Sequence, residues 1–106
     1  MPDEPLSQPA LHVLLALGTG AKHGYGIMQD IAGRSGGRIR ILPGTLYSTI
    51  KKMLADGLIE EVAPPKGADS DDERRRYYRV TRSGRATAQA ETERLALLVK
   101  LGRVFG

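Results

Sequence analysis

Thr45, Ser48, Thr49 and Lys52 recur at the three- and four-residue spacings that gather side chains on one face of a helix. Lys51 stands beside them, and no acid follows until Asp56. Short hydroxyl side chains donate and accept hydrogen bonds while letting a helix backbone come close to its partner, and ammonium groups pair with phosphates. Such a face has the chemistry to read base edges in a DNA major groove. It equally suits the solvated side of an amphipathic helix, so its surroundings must decide. Basic charge gathers again at Arg74, Arg75, Arg76, Arg79, Arg82 and Arg85, with no acid among them, directly after an acidic block of Asp69, Asp71, Asp72 and Glu73. The arginines read either as a solvated run neutralised by those acids or as phosphate contacts, and Arg79 favours the second by extending the strip along a strand. Acids at a loop tip repel phosphate, so the tip is expected to point away from DNA while Lys66, Arg74 and Arg75 near its base make the contacts.

Other chemistry is poorly supplied. Gly18-Thr19-Gly20-Ala21-Lys22-His23-Gly24 has the look of a dinucleotide-binding turn, but the leucines before it are spaced as a helix and too little chain remains for a parallel sheet. A small nucleotide binder using Gly18–Gly24 is therefore a minor alternative. His12 and His23 lack a third ligand at metal spacing and read as structural or solvent-facing; no cofactor is expected. No nucleophile, base and orienting acid can be assembled, which argues against an enzyme.

The elements that must position these groups can be read from composition and period. The chain has 106 residues, 41% hydrophobic and 26% charged, with a net charge of +4 and no cysteine. That fits one small domain in a reducing compartment, the cytoplasm by default, with a mild bias toward polyanions. The apolar runs Leu11–Leu17 and Leu95–Leu101 fall well short of the ~20 residues that span a bilayer, so no membrane partner is expected. Residues 1–9, rich in proline, read as a disordered lead-in ending near Ser7, a plausible N-cap. A first helix to about Leu17 carries Leu11, Leu14 and Leu15 on one face, and a second runs from about Gly24 to Ala32 before Gly33, Gly36 and Gly37. The third begins at Pro43 and stops at Gly57, with Leu46, Ile50, Met53 and Leu54 as its core stripe. Tyr47 flanks that stripe, placed to pack on the second helix with its hydroxyl within reach of a phosphate.

Leu58–Ala63 and Arg75–Val80 then read as two strands of a hairpin, Tyr78 facing the core and Tyr77 outward with Arg79. Thr81 caps a last helix to Phe105, whose second half crowds Leu95, Leu97, Leu98, Leu101, Val104 and Phe105 onto an arc broad enough to meet the first helix and a second copy. The fold class is mainly α with a small β-hairpin. It amounts to a winged helix-turn-helix over residues 10–81 and a C-terminal dimerisation helix over 82–106.

Within this order, Leu42-Pro43-Gly44-Thr45-Leu46-Tyr47 followed by Ile50, Leu54 and Gly57-Leu58-Ile59 resembles the recognition-helix signature of the PadR family of bacterial transcriptional regulators. His23-Gly24-Tyr25-Gly26-Ile27 is similar to that family's second-helix opening, with Gly26 where Glu is usual, and Arg76–Gly84 resembles its second wing strand. The resemblance spans about Leu11 to Leu101 and points to the shorter subgroup with one C-terminal helix. It implies a homodimeric repressor that binds double-stranded DNA, with the third helix in the major groove, the wing near the backbone or minor groove and the C-terminal region making the dimer; two-fold symmetry then predicts an inverted-repeat operator. It also implies a small-molecule effector near the dimer interface, although a chain with no Trp and one Phe has little with which to build an aromatic pocket. The alternative from another class is a winged-helix module that docks on protein and leaves DNA alone.

Overall fold

A computed structural model of the chain describes residues 6–68 and 74–106; the acidic block at the hairpin tip and the first five residues lie outside them. The described residues form a winged helix-turn-helix, mainly helical with a small antiparallel sheet, and an extended C-terminal helix.

Helix α1 (Gln8–Leu17) starts where Ser7 Oγ accepts the Ala10 N–H at 3.2 Å, with Pro9 in its first turn. Gln8 and Pro9, read from sequence as lead-in, are thus helical. Val13, Leu14, Ala16 and Leu17 are buried, whereas Leu15, expected beside Leu14 on the core face, is 42% exposed. Helix α2 (Gly24–Arg34) is capped by His23, whose Nδ1 accepts the Gly26 N–H at 2.9 Å. It continues past Ala32 because Gly33 fits a helix and Arg34 pairs with Asp30 at 2.8 Å, one turn back. Helix α3 (Pro43–Ala55) ends as its sequence predicts. Gly57 takes φ +73°, its N–H bonding Leu54 O at 3.2 Å and that of Leu58 bonding Met53 O at 3.0 Å. Leu46, Ile50 and Met53 are buried; Leu54 lies at the margin, 37% exposed.

The hairpin of β2 (Ile59–Val62) and β3 (Tyr77–Val80) pairs Ile59 with Val80 and Val62 with Tyr77. Both strands are shorter than the sequence suggests, which leaves Arg75 and Arg76 outside the sheet. A third strand, β1 (Lys22–His23), pairs with the other edge of β3 and makes the order β1-β3-β2. Tyr77 is consequently buried, not outward, its ring edge-on to His23 at 5.3 Å. The same strand disposes of the dinucleotide-turn alternative in physical terms: the glycines follow a helix, and Lys22 Nζ donates to Ala16 O at 2.6 Å and Thr19 Oγ1 at 2.9 Å.

Helix α4 (Arg82–Gly102), followed by a 3₁₀ turn (Arg103–Phe105), is fastened to the wing by Thr81. The Thr81 hydroxyl accepts the Gly84 N–H at 3.0 Å and donates to Gly57 O at 2.7 Å, while its own N–H bonds Leu58 O at 3.0 Å. One side chain therefore joins the end of α3 to the start of α4. Thr81→Ala removes a cap and a bridge and is expected to cost about 1–2 kcal/mol in urea unfolding. Among the described residues no helix is long and apolar enough to cross a membrane.

Candidate nucleic-acid interface

The buried stripe of α3 turns the opposite side of the helix outward. Thr45, Ser48, Lys51 and Lys52 are exposed, and Thr49 is half-buried because it borders Met53, one turn on and in the core. Ser48 Oγ donates to Thr45 O at 3.0 Å, which leaves its acceptor lone pairs facing out. Lys52 lies 3.9 Å from Asp56 with both side chains well exposed. Such a pair is worth under about 1 kcal/mol and gives way readily to a phosphate. Tyr47 is 60% exposed, yet its ring lies across Gly24, where an added Cβ would sit 3.6 Å from both Cε1 and the hydroxyl. The packing and surface readings of Tyr47 describe the same side chain.

On the wing side of α3, a cavity of about 430 Å³ is lined by His23, Gly24, Tyr25, Tyr47, Arg75, Arg76 and Tyr78. Arg75 Nη1 is 3.0 Å from His23 Nε2 and 3.3 Å from Nδ1, and its guanidinium stands 5.7 Å from the centre of the Tyr25 ring. Near-equal distances to both ring nitrogens place the cation over the imidazole, so His23 caps α2 and seats Arg75 together. Burial pushes the Tyr78 phenol above its ordinary pKa, and Glu61 adds to the rise, so it stays neutral at the back of this cavity. The structure adds acidic partners to the basic strip. Arg79 faces Glu60 across the sheet at 2.5 Å, and Arg76 lies 3.9 Å from Glu61. Strand β2 thus sets a carboxylate beside Arg79 in β3 and another near Arg76 just before it, all four side chains being solvent-exposed. Lys66 and Arg74 are exposed at the base of the loop.

Two cations escaped the sequence reading. Arg38 and Arg40 project to solvent just before α3, because Ile39 and Ile41 between them pack on the core and Ser35 Oγ accepts the Ile39 N–H at 2.9 Å. The alternation Arg-Ile-Arg-Ile was the available signal. With Leu42, Thr45, His12, Gln8 and Pro9 they line a second cavity of about 330 Å³. The open face of α3 therefore stands between arginines of the preceding turn and arginines at the base of the wing.

Helix α4 divides in two. Its first half closes a groove against α1, lined by Leu14, Leu15 and Gly18 on one side and Arg85, Ala88, Gln89 and Thr92 on the other. In its second half and the 3₁₀ turn that follows, Leu95 is half-buried, while Leu97, Leu98, Leu101, Val104 and Phe105 are 49–93% exposed, as is Val99, which the sequence reading passed over. The contact with α1 expected of the apolar arc is made instead by the earlier turns of the helix.

Comparison with known proteins adds to this geometry. Residues 13–90 match the model of the transcriptional regulator PadR-like family. The chain is 38% identical over 93 residues to the transcriptional regulator Rv3488 of Mycobacterium tuberculosis, covering 88% of this chain and 78% of that protein. Its fold is similar to a PadR family transcription regulator of Clostridium difficile, with a TM-score of 0.77 at 20% identity over 93% and 98% of the two chains. It is also similar to Bacillus subtilis PadR, solved in complex with operator DNA, with a TM-score of 0.64 at 22% identity over 86% of this chain and 48% of that one.

Proposed function

This chain belongs to the PadR-like family of transcriptional regulators, which are not enzymes, and from that premise we propose that it is a repressor that binds an inverted-repeat operator as a homodimer. The observation that carries this reading is the acid-free hydroxyl and lysine face of α3 standing open between two arginine clusters. In this reading α3 enters the major groove, Thr45 and Ser48 reach base edges, and Thr49 supports them from the margin of the core. Lys51, Lys52 and the Tyr47 hydroxyl meet phosphates beside the groove, and Lys66, Arg74 and Arg75 meet them at the base of the wing. The apolar end of α4 with the 3₁₀ turn after it, from half-buried Leu95 to exposed Phe105, supplies the two-fold contact, and two-fold symmetry sets the paired α3 helices about one helical turn of DNA apart, ~34 Å. Such a protein works in the cytoplasm, where bacterial operators lie.

Gel shifts on the region upstream of the protein's own gene, against a random duplex over a range of salt, test this directly. Specific retention that weakens steeply with salt is expected. Lys52→Ala should weaken binding on every sequence and reduce the log–log salt slope by about one, the signature of one lost phosphate contact. Ser48→Ala should cost about 1–3 kcal/mol on the specific site and little on random DNA. Absence of any retention at low salt would leave the protein-docking alternative in its place.

A further inference from the structure

Leucine is out of place at the start of α3. The N-cap position favours Ser, Thr, Asp or Asn, whose side chain accepts an N–H of the first turn, and Leu42 occupies it with no such bond. Leu42 is also 72% exposed, although Ile39 and Ile41 of the same segment pack on the core. One residue thus forgoes both a cap and burial, and departures of this kind from local sense gather at functional sites. Its position gives the departure a use. Side chains at the N-cap and third helical positions lie together, so Leu42 stands beside Thr45 at the leading end of the open face. Arg38 and Arg40 line the same cavity, and no acid is among the described residues that line it. An apolar tip flanked by guanidinium groups suits the edge of a major groove, where the cations meet phosphates and the tip reaches the base edges. The apolar feature displayed there is the C5 methyl group of thymine.

We propose that Leu42 is a specificity-determining residue that packs on a thymine methyl in each half-site, with Arg38 and Arg40 on the phosphates beside it. This rests on the DNA-binding reading above. The test starts from duplexes enriched by the wild-type protein out of a random library, followed by replacement of each thymine by uracil, which removes only the methyl. One position per half-site is expected to lose about fourfold in wild-type affinity, the factor carried by one buried methyl group. The loss should vanish for Leu42→Ser and Leu42→Ala yet persist for Lys52→Ala. Leu42→Ser gains a capping hydroxyl, so its melting temperature should hold or rise, which separates lost recognition from lost folding. An unchanged uracil profile in both Leu42 variants, or a wild type indifferent to every uracil, overturns the assignment. A wild type that enriches no sequence overturns the DNA reading, and this inference with it, so the two failures are distinguishable.

Discussion

Leu98→Asp combined with Leu101→Asp is expected to turn the protein into a monomer and to lower its affinity for a two-half-site operator by about 100-fold or more. The two leucines are 49% and 61% exposed in the single chain, and with Leu97, Val99, Val104 and Phe105 they form an apolar surface that no described residue of the chain covers. Burying such side chains stabilises an assembly by roughly 1.5–3 kcal/mol each when burial is complete. Contiguous apolar surface of this kind marks an interaction site. Carboxylates placed in the middle of the contact would have to shed water with no partner, a cost that association does not recover. The affinity loss follows from linkage: a dimer that has docked one half-site meets the second at a high effective concentration, an advantage of about 10²–10⁴ that a monomer lacks. Because neither residue is in the core, the variant should keep its helical circular dichroism and its weak, salt-sensitive binding to a single half-site. Analytical ultracentrifugation decides the matter, and a variant that sediments as a dimer and holds its operator affinity would move the interface to α1.

Gly84→Ala should be the most damaging of the glycine-to-alanine changes in this protein. A Cβ at that position would fall 2.0 Å from Leu58 O and 2.8 Å from Val80 Cγ2. The carbonyl cannot retreat cheaply, since it accepts the Thr81 N–H at 3.0 Å, and Thr81 in turn holds Gly57 O and the Gly84 N–H. Relief therefore requires α4 to lift from the wing, with loss of its cap. We expect at least about 3 kcal/mol of destabilisation, at the upper end of overpacking effects. For a domain of this size that corresponds to a fall of about 12 °C or more in Tm. Gly33→Ala provides the contrast: it lies within α2 with nothing inside 4 Å of the added carbon, and should stabilise by about 0.4–1 kcal/mol. Opposite signs in parallel thermal melts would confirm that close approach, not helix propensity, makes Gly84 necessary. Equal effects would show that the α4 junction yields more easily than its hydrogen bonds suggest.

The helices were legible in the sequence because their ends are local chemistry. Ser7 and Thr81 cap, Pro43 opens, and Gly57 with Leu58 closes, each acting within five residues of itself. The core stripe of α3 and the open face opposite it follow from helical period alone, so most of the candidate interface could be named before any fold was known. Strand β1 could not be. Lys22-His23 has no strand pattern of its own, and it is a strand only because β3 has a second edge to satisfy; that pairing in turn buries Tyr77 beneath His23. Cross-strand register decided the wing in the same way, since Glu60 meets Arg79 only once the two strands pair, and the same pairing brings Glu61 within 3.9 Å of Arg76 just outside the sheet. Arg38 and Arg40 join the interface because the isoleucines beside them find the core, a long-range event. Along α4 the sequence by itself determined that a broad apolar arc exists. Only the tertiary structure decided that its earlier turns meet α1 and its later ones meet solvent, because that division depends on where two helices cross, a distance that no local pattern encodes.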